Sequence, residues 1–538
     1  MLGITYAVMF FFVLALIGYG CHTVWKIKKQ LHILQLNSYF NRRYLGWLNN
    51  KKAQVFNLKE LEPLLALVGM FFQGPLIVLV LFTLIYFRLF LIRPDLPEKK
   101  PLVFTPRATR LFVFSLGFLL AIYMGVIAIW WGKGDFWLEM SIGLLVICNF
   151  FAPFLLMLIN LLLLPLEKII QYWYFRDAYR YLRTLTNLKV IGITGSFGKT
   201  TTKYVLMEIL RHRFNVLKTP GSYNTTMGIT KVIRSELKPI HDVFVVEMGA
   251  KKPGDIREIC ELVQPQYGLI TAIGEQHLEE FKTLENIKKT KNELIEALLE
   301  HGVAFFNMDD SSCRELASAT KCRVVSYGIE ADKLDYSILD ITLDEHGSSF
   351  RVICARDNSQ AIFQTKLLGK HNIYNILGAI AVAGDLGMPL SEMVYPLKQV
   401  SAIPHRLELK KVGNNIIFID DAFNSNPVGS KMALEVLGQI SGKRKIIITP
   451  GMIELGVKEN EYNEHFGEYI AAVCDYVILV GKKQTLALQR GLKAKQYSEE
   501  KLFIAADFAM AKKHLEQILQ AGDVVLFEND LPDNYSEQ

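Results

Sequence analysis

Apolar residues are unevenly distributed along the chain, and their pattern divides it into two parts. Long apolar runs fill the first third, whereas short apolar strands alternate with helical stretches in the rest. A helix needs about 20 mostly apolar residues to cross a bilayer, so we expect about four spans, give or take one. The runs that predict them are Ile4–Gly20, Leu64–Ile92, Leu111–Trp131 and Phe136–Leu164.

The first run is more typical of an uncleaved span than of a signal peptide. No basic region precedes it, and no small-residue cleavage site follows it. Gly74-Pro75 interrupts the second run, which leaves a kinked span and a tight hairpin both open. Four simple spans would place the basic segment Lys26–Lys52 outside, whereas a hairpin would bring it inside, so the N-terminal orientation stays open.

Basic residues flank these runs, for example in the segment Lys26–Lys29. Flanking of this kind is typical of membrane proteins and does not predict a nucleic-acid surface. No ionisable residue sits mid-span in a way that suggests a transport path, so we interpret the region as an anchor. A segment rich in aromatic residues and arginine, Gln171–Leu188, follows with helical spacing and predicts an interfacial linker helix.

The pattern of the remaining chain predicts two α/β domains. Alternating strands and helices predict a doubly wound, mostly parallel sheet with ligands bound at the carboxyl ends of its strands. The strands expected in the first domain are Val190–Thr194, Val243–Met248, Tyr267–Ile273 and Val303–Met308. Those expected in a smaller, Rossmann-like domain are Ile416–Asp420, Lys445–Pro450, Tyr476–Gly481, Lys501–Ala506 and Asp523–Glu528.

These patterns together predict four regions. Residues 1–166 form a transmembrane anchor, and 167–187 form the linker helix. Residues 188–402 form a central nucleotide-binding domain, and 403–538 form the C-terminal domain.

A glycine-rich turn follows the first predicted strand of the central domain. Gly195, Ser196, Phe197 and Gly198 lead into Lys199, Thr200 and Thr201, which open a helix. Backbone amides, a helix N-terminus, a lysine and a threonine hydroxyl in this order are typical of a phosphate-binding loop with Mg²⁺. The general pattern of that loop would require glycine in place of Ile193, but the strand–turn–helix context is present.

Polar residues stand where two neighbouring strands are predicted to end. Glu247 closes one strand, and Glu275 and His277 follow another. A carboxylate and an imidazole at adjacent strand ends, near a threonine of a phosphate loop, are suitable ligands for a divalent metal.

Composition agrees with a membrane-associated chain. Hydrophobic residues make up 51% of the 538 residues, and the net charge is +7. The mean hydropathy is +0.22. Seven cysteines lack paired spacing, which predicts neither a disulfide framework nor a zinc site.

A series of ordered motifs resembles the Mur ligase family, ATP-dependent amide ligases of peptidoglycan precursor synthesis, and most closely its D-alanyl-D-alanine-adding type. The resemblance covers about Leu188–Asp523. It includes TGSFGKTTTK, GSYNTTMGI, EMGAKKPGDI, ITAIGEQHLEEF, TKNEL, NMDD, GKHNIYN, IPHRLE, IDDAFNSNP and TPGMIELG.

This resemblance implies a set of site residues. The loop Gly195–Gly198 with Lys199 would hold the ATP phosphates, while Asn372 and Asn375 would contact the adenine side. Arg406 and Asp421 would reach the nucleotide from the C-terminal domain. Two Mg²⁺ ions would be held by Thr200, Glu247, His277 and Lys291, the last as a carbamate. By its helical pattern alone Lys291 is one more exposed lysine, so only the resemblance gives it a role.

The resemblance also implies a mechanism and marks two departures. A substrate carboxylate would attack the γ-phosphate of ATP, and an amine would then attack the acyl phosphate. The N-terminal domain that holds a UDP-sugar in soluble relatives is replaced here by apolar runs. The basic KGSR-like stretch near the end of the family is replaced by an acidic one, GDVVLFENDLPDNY.

Three hypotheses follow. The first is a multi-pass membrane ligase with cytoplasmic catalytic domains, which adds an amino acid or dipeptide to a small-molecule or lipid-linked cell-wall precursor. The second is the same chemistry on another carboxylate, such as an amino-acid polymer. The third is a membrane ATPase without ligase activity, against which the complete set of site residues argues. The oligomeric state is left open.

Overall fold

The structure is a computed structural model that describes residues 2–51, 55–56, 58–69, 75–92, 100–133, 135–344, 347–423 and 425–531. The chain forms two compact units, one up to Ile170 and the other over Gln171–Leu531.

The first unit is helical. Its helices are α1 (Leu2–Leu36), α2 (Asn41–Asn50), α3 (Pro75–Leu91), α4 (Pro106–Lys133), α5 (Asp135–Phe150) and α6 (Ala152–Arg183), with a 3₁₀ helix at Leu58–Gly69. By length and composition, three helical segments within the described ranges are suited to cross a membrane: Ala7–Leu36, Pro106–Gly125 and Ala152–Arg183. Leu76–Leu91 is a shorter apolar helix.

The apolar runs and the helices differ at two places. Phe151 separates α5 from α6, so the fourth run is divided between two helices, and the predicted linker helix continues α6. The described part of α3 starts at Pro75. Gly74 lies outside the described residues, as does Lys52 at the end of the basic segment.

Polar side chains lie inside this helical unit. Lys26 forms an ion pair with Glu60, and the Lys26 side chain is only 3% exposed. Asn149 donates to Thr23 Oγ1 at 2.5 Å, and His22 is buried. Helix packing therefore turns Lys26, the first residue of the predicted flanking segment, inward, whereas Lys28 in the same segment is exposed.

The central domain of the second unit is built on a nine-stranded sheet in the order β2-β3-β1-β4-β5-β6-β7-β8-β9. Strands β1 to β7 pair in parallel, and β8 and β9 add antiparallel strands. The strands are β1 (Lys189–Thr194), β2 (Val216–Lys218), β3 (Val243–Glu247), β4 (Tyr267–Ile270), β5 (Val303–Asn307), β6 (Arg323–Gly328), β7 (Tyr336–Asp344), β8 (Gly347–Cys354) and β9 (Gln360–Thr365).

Helices cover both faces of this sheet. They are α7 (Lys199–Leu210), α8 (Thr226–Ser235), α9 (Asp255–Val263), α10 (Leu278–Phe281), α11 (Leu284–Glu296), α12 (Ser311–Ala319), α13 (Lys370–Asp385) and α14 (Leu390–Gln399). Successive strand residues enter two different cores: Ile191 packs in one, and Val190 packs in the other. This is why the strands are apolar on both sides.

The C-terminal domain has a six-stranded sheet in the order β10-β11-β15-β12-β13-β14. Its strands are β10 (Glu408–Val412), β11 (Ile416–Asp421), β12 (Lys445–Thr449), β13 (Tyr476–Val480), β14 (Leu502–Ala505) and β15 (Val524–Glu528). Its helices are α15 (Pro427–Gln439), α16 (Glu459–Val473), α17 (Leu486–Ala494) and α18 (Phe508–Ile518). The predicted fold class, apolar N-terminal helices followed by two parallel α/β domains, is confirmed.

Candidate active site

The phosphate loop lies where the strand order of the central sheet reverses. β1 pairs with β3 on one side and with β4 on the other. The carboxyl ends of these three strands meet at one edge, which is where open α/β sheets bind ligands. Helix α7 begins at Lys199, so its N-terminal amides and positive dipole end lie at the loop.

Two glycines allow the loop to approach its neighbours closely. A Cβ on Gly195 would lie 2.1 Å from Thr271 Oγ1, and one on Gly198 would lie 2.1 Å from Asn375 Oδ1. Gly198 also has a φ of +82°, a left-handed conformation that costs other residues free energy. The loop therefore contacts both the segment after β4 and helix α13.

Hydrogen bonds fasten the middle of the loop to the segment after β4. Ser196 Oγ donates to Gly274 O at 2.7 Å, and Thr271 Oγ1 donates to Phe197 O at 2.5 Å. These bonds tie the Ser196 side chain and the Phe197 carbonyl oxygen to the neighbouring segment. The loop is therefore held in a fixed shape, which preorganises it for binding.

The Lys199 ammonium lies over the loop. Its Nζ donates to Gly195 O at 2.6 Å and to Ser196 O at 3.2 Å. Burial lowers the pKa of Lys199 to about 8, although the charge of Glu247 opposes this shift. A cation is thus held where a bound phosphate would lie.

Glu247 is fixed from three sides at the end of β3. Its carboxylate accepts from Thr200 Oγ1 at 3.0 Å, from Lys203 Nζ at 2.8 Å and from Asn224 Nδ2 at 3.0 Å. Burial disfavours its ionised form, but the charges of Lys203 and Lys199 outweigh burial and lower its pKa. Glu247 is therefore an anion at neutral pH.

Lys203 and Asn224 were not among the predicted site residues. Lys203 lies one helical turn after Lys199, and this i, i+4 spacing is the signal that could have identified it. Asn224 belongs to the motif GSYNTTMGI, but only the fold brings that loop to Glu247.

Lys291 is buried on α11, which corrects the exposed position that its helical pattern predicts. Only 3% of the surface of Lys291 is exposed to solvent. Burial lowers the pKa of Lys291 to about 7, and the charge of Lys199 adds to the effect. A lysine that is readily neutral can react as an amine, as carbamate formation requires.

His277 lies in the segment after β4 and contacts the C-terminal domain. Its Nδ1 is 2.5 Å from Glu454 Oε2. Glu275 contacts the same domain through Lys458, at 3.0 Å, and through the hydroxyl of Tyr462. The neighbouring strand ends thus supply Glu247 to the phosphate loop and supply Glu275 and His277 to a domain contact.

Two asparagines of α13 lie beside the loop. Asn375 Nδ2 donates to Asn372 Oδ1 at 3.2 Å, and Asn372 Nδ2 donates to Leu368 O at 2.8 Å. Both residues are buried. The contact between Asn375 and Gly198 places this pair next to the phosphate cradle.

Arg406 and Asp421 lie together in the C-terminal domain. Burial raises the pKa of Asp421 to about 6, although the charge of Arg406 opposes this. Arg406 is within electrostatic range of Lys199 and Glu247. Glu528 is the register partner of Asp421, and burial and Asp421 raise its pKa. The structure thus places Glu528, which was not a predicted site residue, in this group.

The donor set at the loop suits Mg²⁺. The Thr200 hydroxyl and the Glu247 carboxylate are adjacent oxygen donors, of the kind Mg²⁺ prefers beside phosphates. Thr201, also predicted to line the loop, is buried. Over the described ranges no three His, Cys, Asp or Glu side chains form a metal-binding group.

Comparison with known proteins agrees with this geometry. Residues 193–383 match the Mur ligase middle domain, and residues 405–528 match the Mur ligase glutamate ligase domain. A UDP-N-acetylmuramoyl-tripeptide–D-alanyl-D-alanine ligase of Bacillus subtilis is 30% identical over 65% of this chain and 75% of its own length. Its Escherichia coli counterpart is 30% identical over 57% of this chain and 68% of its own length.

Solved structures show the same likeness. The MurF ligase of Thermotoga maritima in complex with ADP is 26% identical, with a TM-score of 0.60, over 68% of this chain and 82% of its own. A MurF of Acinetobacter baumannii is 27% identical, with a TM-score of 0.62, over 68% of this chain and 79% of its own.

The fold and the site define an ADP-forming, ATP-dependent ligase that joins a carboxylate to an amine. The chain belongs to the Mur ligase family, and the relatives compared above are of the MurF type. Mur ligases use ATP and Mg²⁺, which agrees with the phosphate loop and its oxygen donors.

Proposed function

We propose that this chain is a membrane-anchored Mur-type ligase that adds an amino acid or dipeptide to a cell-wall precursor through an acyl phosphate. The observation that carries the proposal is the group of Lys199, Thr200 and Glu247 at one phosphate loop, with buried Lys291 within electrostatic range of Lys199. The names of the relatives point to a muramoyl-peptide carboxylate and D-alanyl-D-alanine as the substrate class.

The reaction has two steps. The substrate carboxylate attacks the γ-phosphorus of ATP, which releases ADP and leaves an acyl phosphate. The amine then attacks the acyl carbon, and collapse of the tetrahedral intermediate forms the amide and releases inorganic phosphate.

The chain's own residues position the groups and balance their charge. Lys199 and the loop amides bind the phosphates, and Asn372, Asn375, Arg406 and Asp421 hold the nucleotide. Thr200, Glu247, His277 and carbamylated Lys291 would bind two Mg²⁺ ions, which supply charge neutralisation.

The first unit supports the membrane part of the proposal. Its polar residues Lys26 and His22 are buried, whereas large apolar side chains such as Phe10, Leu84 and Leu162 are more than half exposed. Exposed apolar side chains around an apolar core that also holds a few polar groups are compatible with a lipid environment. We infer a multi-pass anchor at 1–166 with about four spans, a linker helix at 167–187 and cytoplasmic domains at 188–402 and 403–538.

The linker helix has features of an interfacial segment. Trp173 is exposed, and the Arg234 guanidinium lies 5.5 Å from its ring centroid. Exposed tryptophan and arginine suit the headgroup region of a bilayer. A precursor held by a lipid is therefore an alternative to a UDP-linked one.

The acidic C-terminal stretch favours an amine substrate different from that of the relatives. The second hypothesis, the same chemistry on a non-murein carboxylate such as an amino-acid polymer, remains the alternative. Glu528 stands buried beside Asp421 where the family has a basic stretch. A ligase that differs here is expected to differ in its amine substrate.

Replacement of the phosphate-loop lysine tests the ligase. We expect Lys199→Ala to lower amine-dependent ADP formation on the order of 10²–10³-fold, the usual effect of removing one group that stabilises transition-state charge. The exposed Lys238→Ala serves as the control. Unchanged ADP formation in Lys199→Ala would contradict the proposal.

Extraction tests the anchor. We expect the full chain to stay with membranes at high salt and to be released by detergent, because burial of apolar helices is not screened by ions. Release by salt alone would show that the chain is only surface-bound.

A further inference from the structure

The segment after β4 in the central domain and the segment after β12 in the C-terminal domain meet through His277 and Glu454. His277 Nδ1 lies 2.5 Å from Glu454 Oε2, and the two side chains are 21% and 20% exposed. His277 has a φ of 52° and Glu454 a φ of 63°. Two non-glycine residues in the left-handed region, facing each other, indicate a conformation that the surrounding structure holds in place.

Further bonds hold this contact together. The backbone N–H of Glu279 donates to Glu454 O at 3.1 Å, so the two segments are joined by main chain as well as side chains. Glu275 bonds to Lys458 and Tyr462 beside it. Glu454 is therefore brought to His277 by the docking of the C-terminal domain on the central domain.

The hydrogen bond between Glu454 and His277 determines which ring nitrogen of His277 carries a proton. A carboxylate can only accept hydrogen bonds, so the ring must carry its proton on Nδ1. In the neutral ring with its proton on Nδ1, the lone pair is on Nε2, the atom through which the ring can bind a metal. Histidines that bind metals commonly donate their other N–H to a carboxylate, which orients the ring and makes it a stronger ligand.

We propose that Glu454 is a positioning residue for metal binding. It holds His277 in the metal-binding tautomer and orientation only when the C-terminal domain is docked, so metal affinity and domain docking are coupled. This inference rests on the proposed function, in which His277 binds Mg²⁺. It assigns Glu454 no contact with substrate or nucleotide.

Metal binding is the measurement that tests the coupling. The full-length chain in detergent is titrated with Mn²⁺ in the presence of a non-hydrolysable ATP analogue, and bound Mn²⁺ is followed by electron paramagnetic resonance. We expect Glu454→Ala to weaken Mn²⁺ binding by about 10–100-fold, the usual effect of losing such a partner. Glu454→Gln keeps an oxygen acceptor and should weaken it less.

Two further variants make the result specific. Tyr462→Phe removes a cross-domain bond to Glu275 without touching His277, and it should leave Mn²⁺ affinity unchanged. The double variant His277→Ala/Glu454→Ala should bind Mn²⁺ no more weakly than His277→Ala, because the two residues act as one unit. Thermal denaturation of each variant shows whether it is folded.

The outcomes separate this inference from the proposed function. If His277→Ala weakens Mn²⁺ binding and Glu454→Ala does not, the coupling is wrong while the ligand assignment stands. An equal loss in Tyr462→Phe would also overturn it, since domain docking alone would then explain the effect. Unchanged binding in His277→Ala would remove His277 from the metal site and overturn both the coupling and the assignment of His277 as a ligand, whereas the ligase activity itself is tested by Lys199→Ala.

Discussion

Each unit of the molecule contains a buried lysine–glutamate pair, and the two pairs have different surroundings. Lys203 and Glu247 in the central domain are joined at 2.8 Å, and Asn224 and Thr200 also bond to the same carboxylate. Lys26 and Glu60 in the helical unit form an ion pair, and Lys26 also donates to Phe150 O at 3.4 Å.

The difference separates a structural pair from a functional one. The Glu247 carboxylate lies at a strand end beside a phosphate loop and is an oxygen donor for Mg²⁺. The Lys26–Glu60 pair satisfies two polar groups between helices whose packed side chains are mostly apolar. A buried ion pair is by itself weak evidence for stability, so its neighbours decide what it does.

Breaking the Lys203–Glu247 pair gives the largest expected effect. Lys203→Met should lower the free energy of unfolding by about 3–5 kcal/mol, because Glu247 is left buried without its ion partner. Adding Glu247→Met should recover much of that stability, since apolar residues replace both charges. ADP formation should be abolished in the double variant even though it is folded, because an oxygen donor of the site is gone.

The matched double variant in the helical unit is Lys26→Met/Glu60→Met. We expect it to keep both its midpoint of thermal denaturation in detergent and its ADP formation. Loss of ADP formation in a folded Lys26→Met/Glu60→Met protein would break the comparison and give the helical unit a part in catalysis.

The next largest effect is the dependence of ligase activity on pH and on dissolved carbon dioxide, which we expect because of Lys291. The pKa of Lys291 is lowered to about 7, so its amine is neutral above that pH and protonated below it. Carbamate formation, and with it ligase activity, should be retained above about pH 7 and lost as the pH falls through that value. Removal of dissolved carbon dioxide should also lower activity.

Labelled carbon dioxide measures the modification directly. A ¹³C carbamate signal is expected in the wild-type chain and should be missing in Lys291→Met. The exposed neighbour Lys289→Met serves as the control and should keep the signal. A signal that persists in Lys291→Met would place the carbamate elsewhere.

The smallest effect concerns the shape of the phosphate loop. Gly198→Ala carries two costs. The backbone at this position is left-handed, with a φ of +82°, and the new Cβ would collide with the Asn375 side chain. A left-handed residue with a Cβ costs roughly 1–2 kcal/mol, so ATP affinity should fall on the order of tenfold. Binding of a fluorescent ATP analogue measures the change.

Gly221→Ala is the matched control. Gly221 has a φ of +48°, but a Cβ there meets no atom within 4 Å. It therefore carries the backbone cost without the collision, and it should weaken ATP binding less than Gly198→Ala. Equal effects would mean that the contact between Asn375 and the loop is unimportant.

Much of the fold was predictable because its signals are local. Apolar runs identified the helical unit, and buried central strands such as β1 and β3 are continuous apolar segments. The edge strands were missed because β2 has only three residues and β9 mixes polar with apolar positions. Local signals do not indicate that Lys26 is buried. Its neighbours in sequence are basic, but in the structure its side chain is packed among helices and paired with Glu60.

The site was predictable in part for a related reason. Gly198, Lys199 and Thr200 are adjacent in sequence, so one turn places them together. Glu247 was placed by its position at a strand end, since parallel strands end at one edge.

The sequence by itself determined the family, the phosphate loop and the division into an apolar and an α/β part. Only the tertiary structure decided that Lys291 is buried, that Lys203 and Asn224 fix Glu247, and that Glu454 meets His277. The physical reason is separation along the chain. Burial and hydrogen bonds between residues such as His277 and Glu454, 177 positions apart, depend on the packing of whole elements.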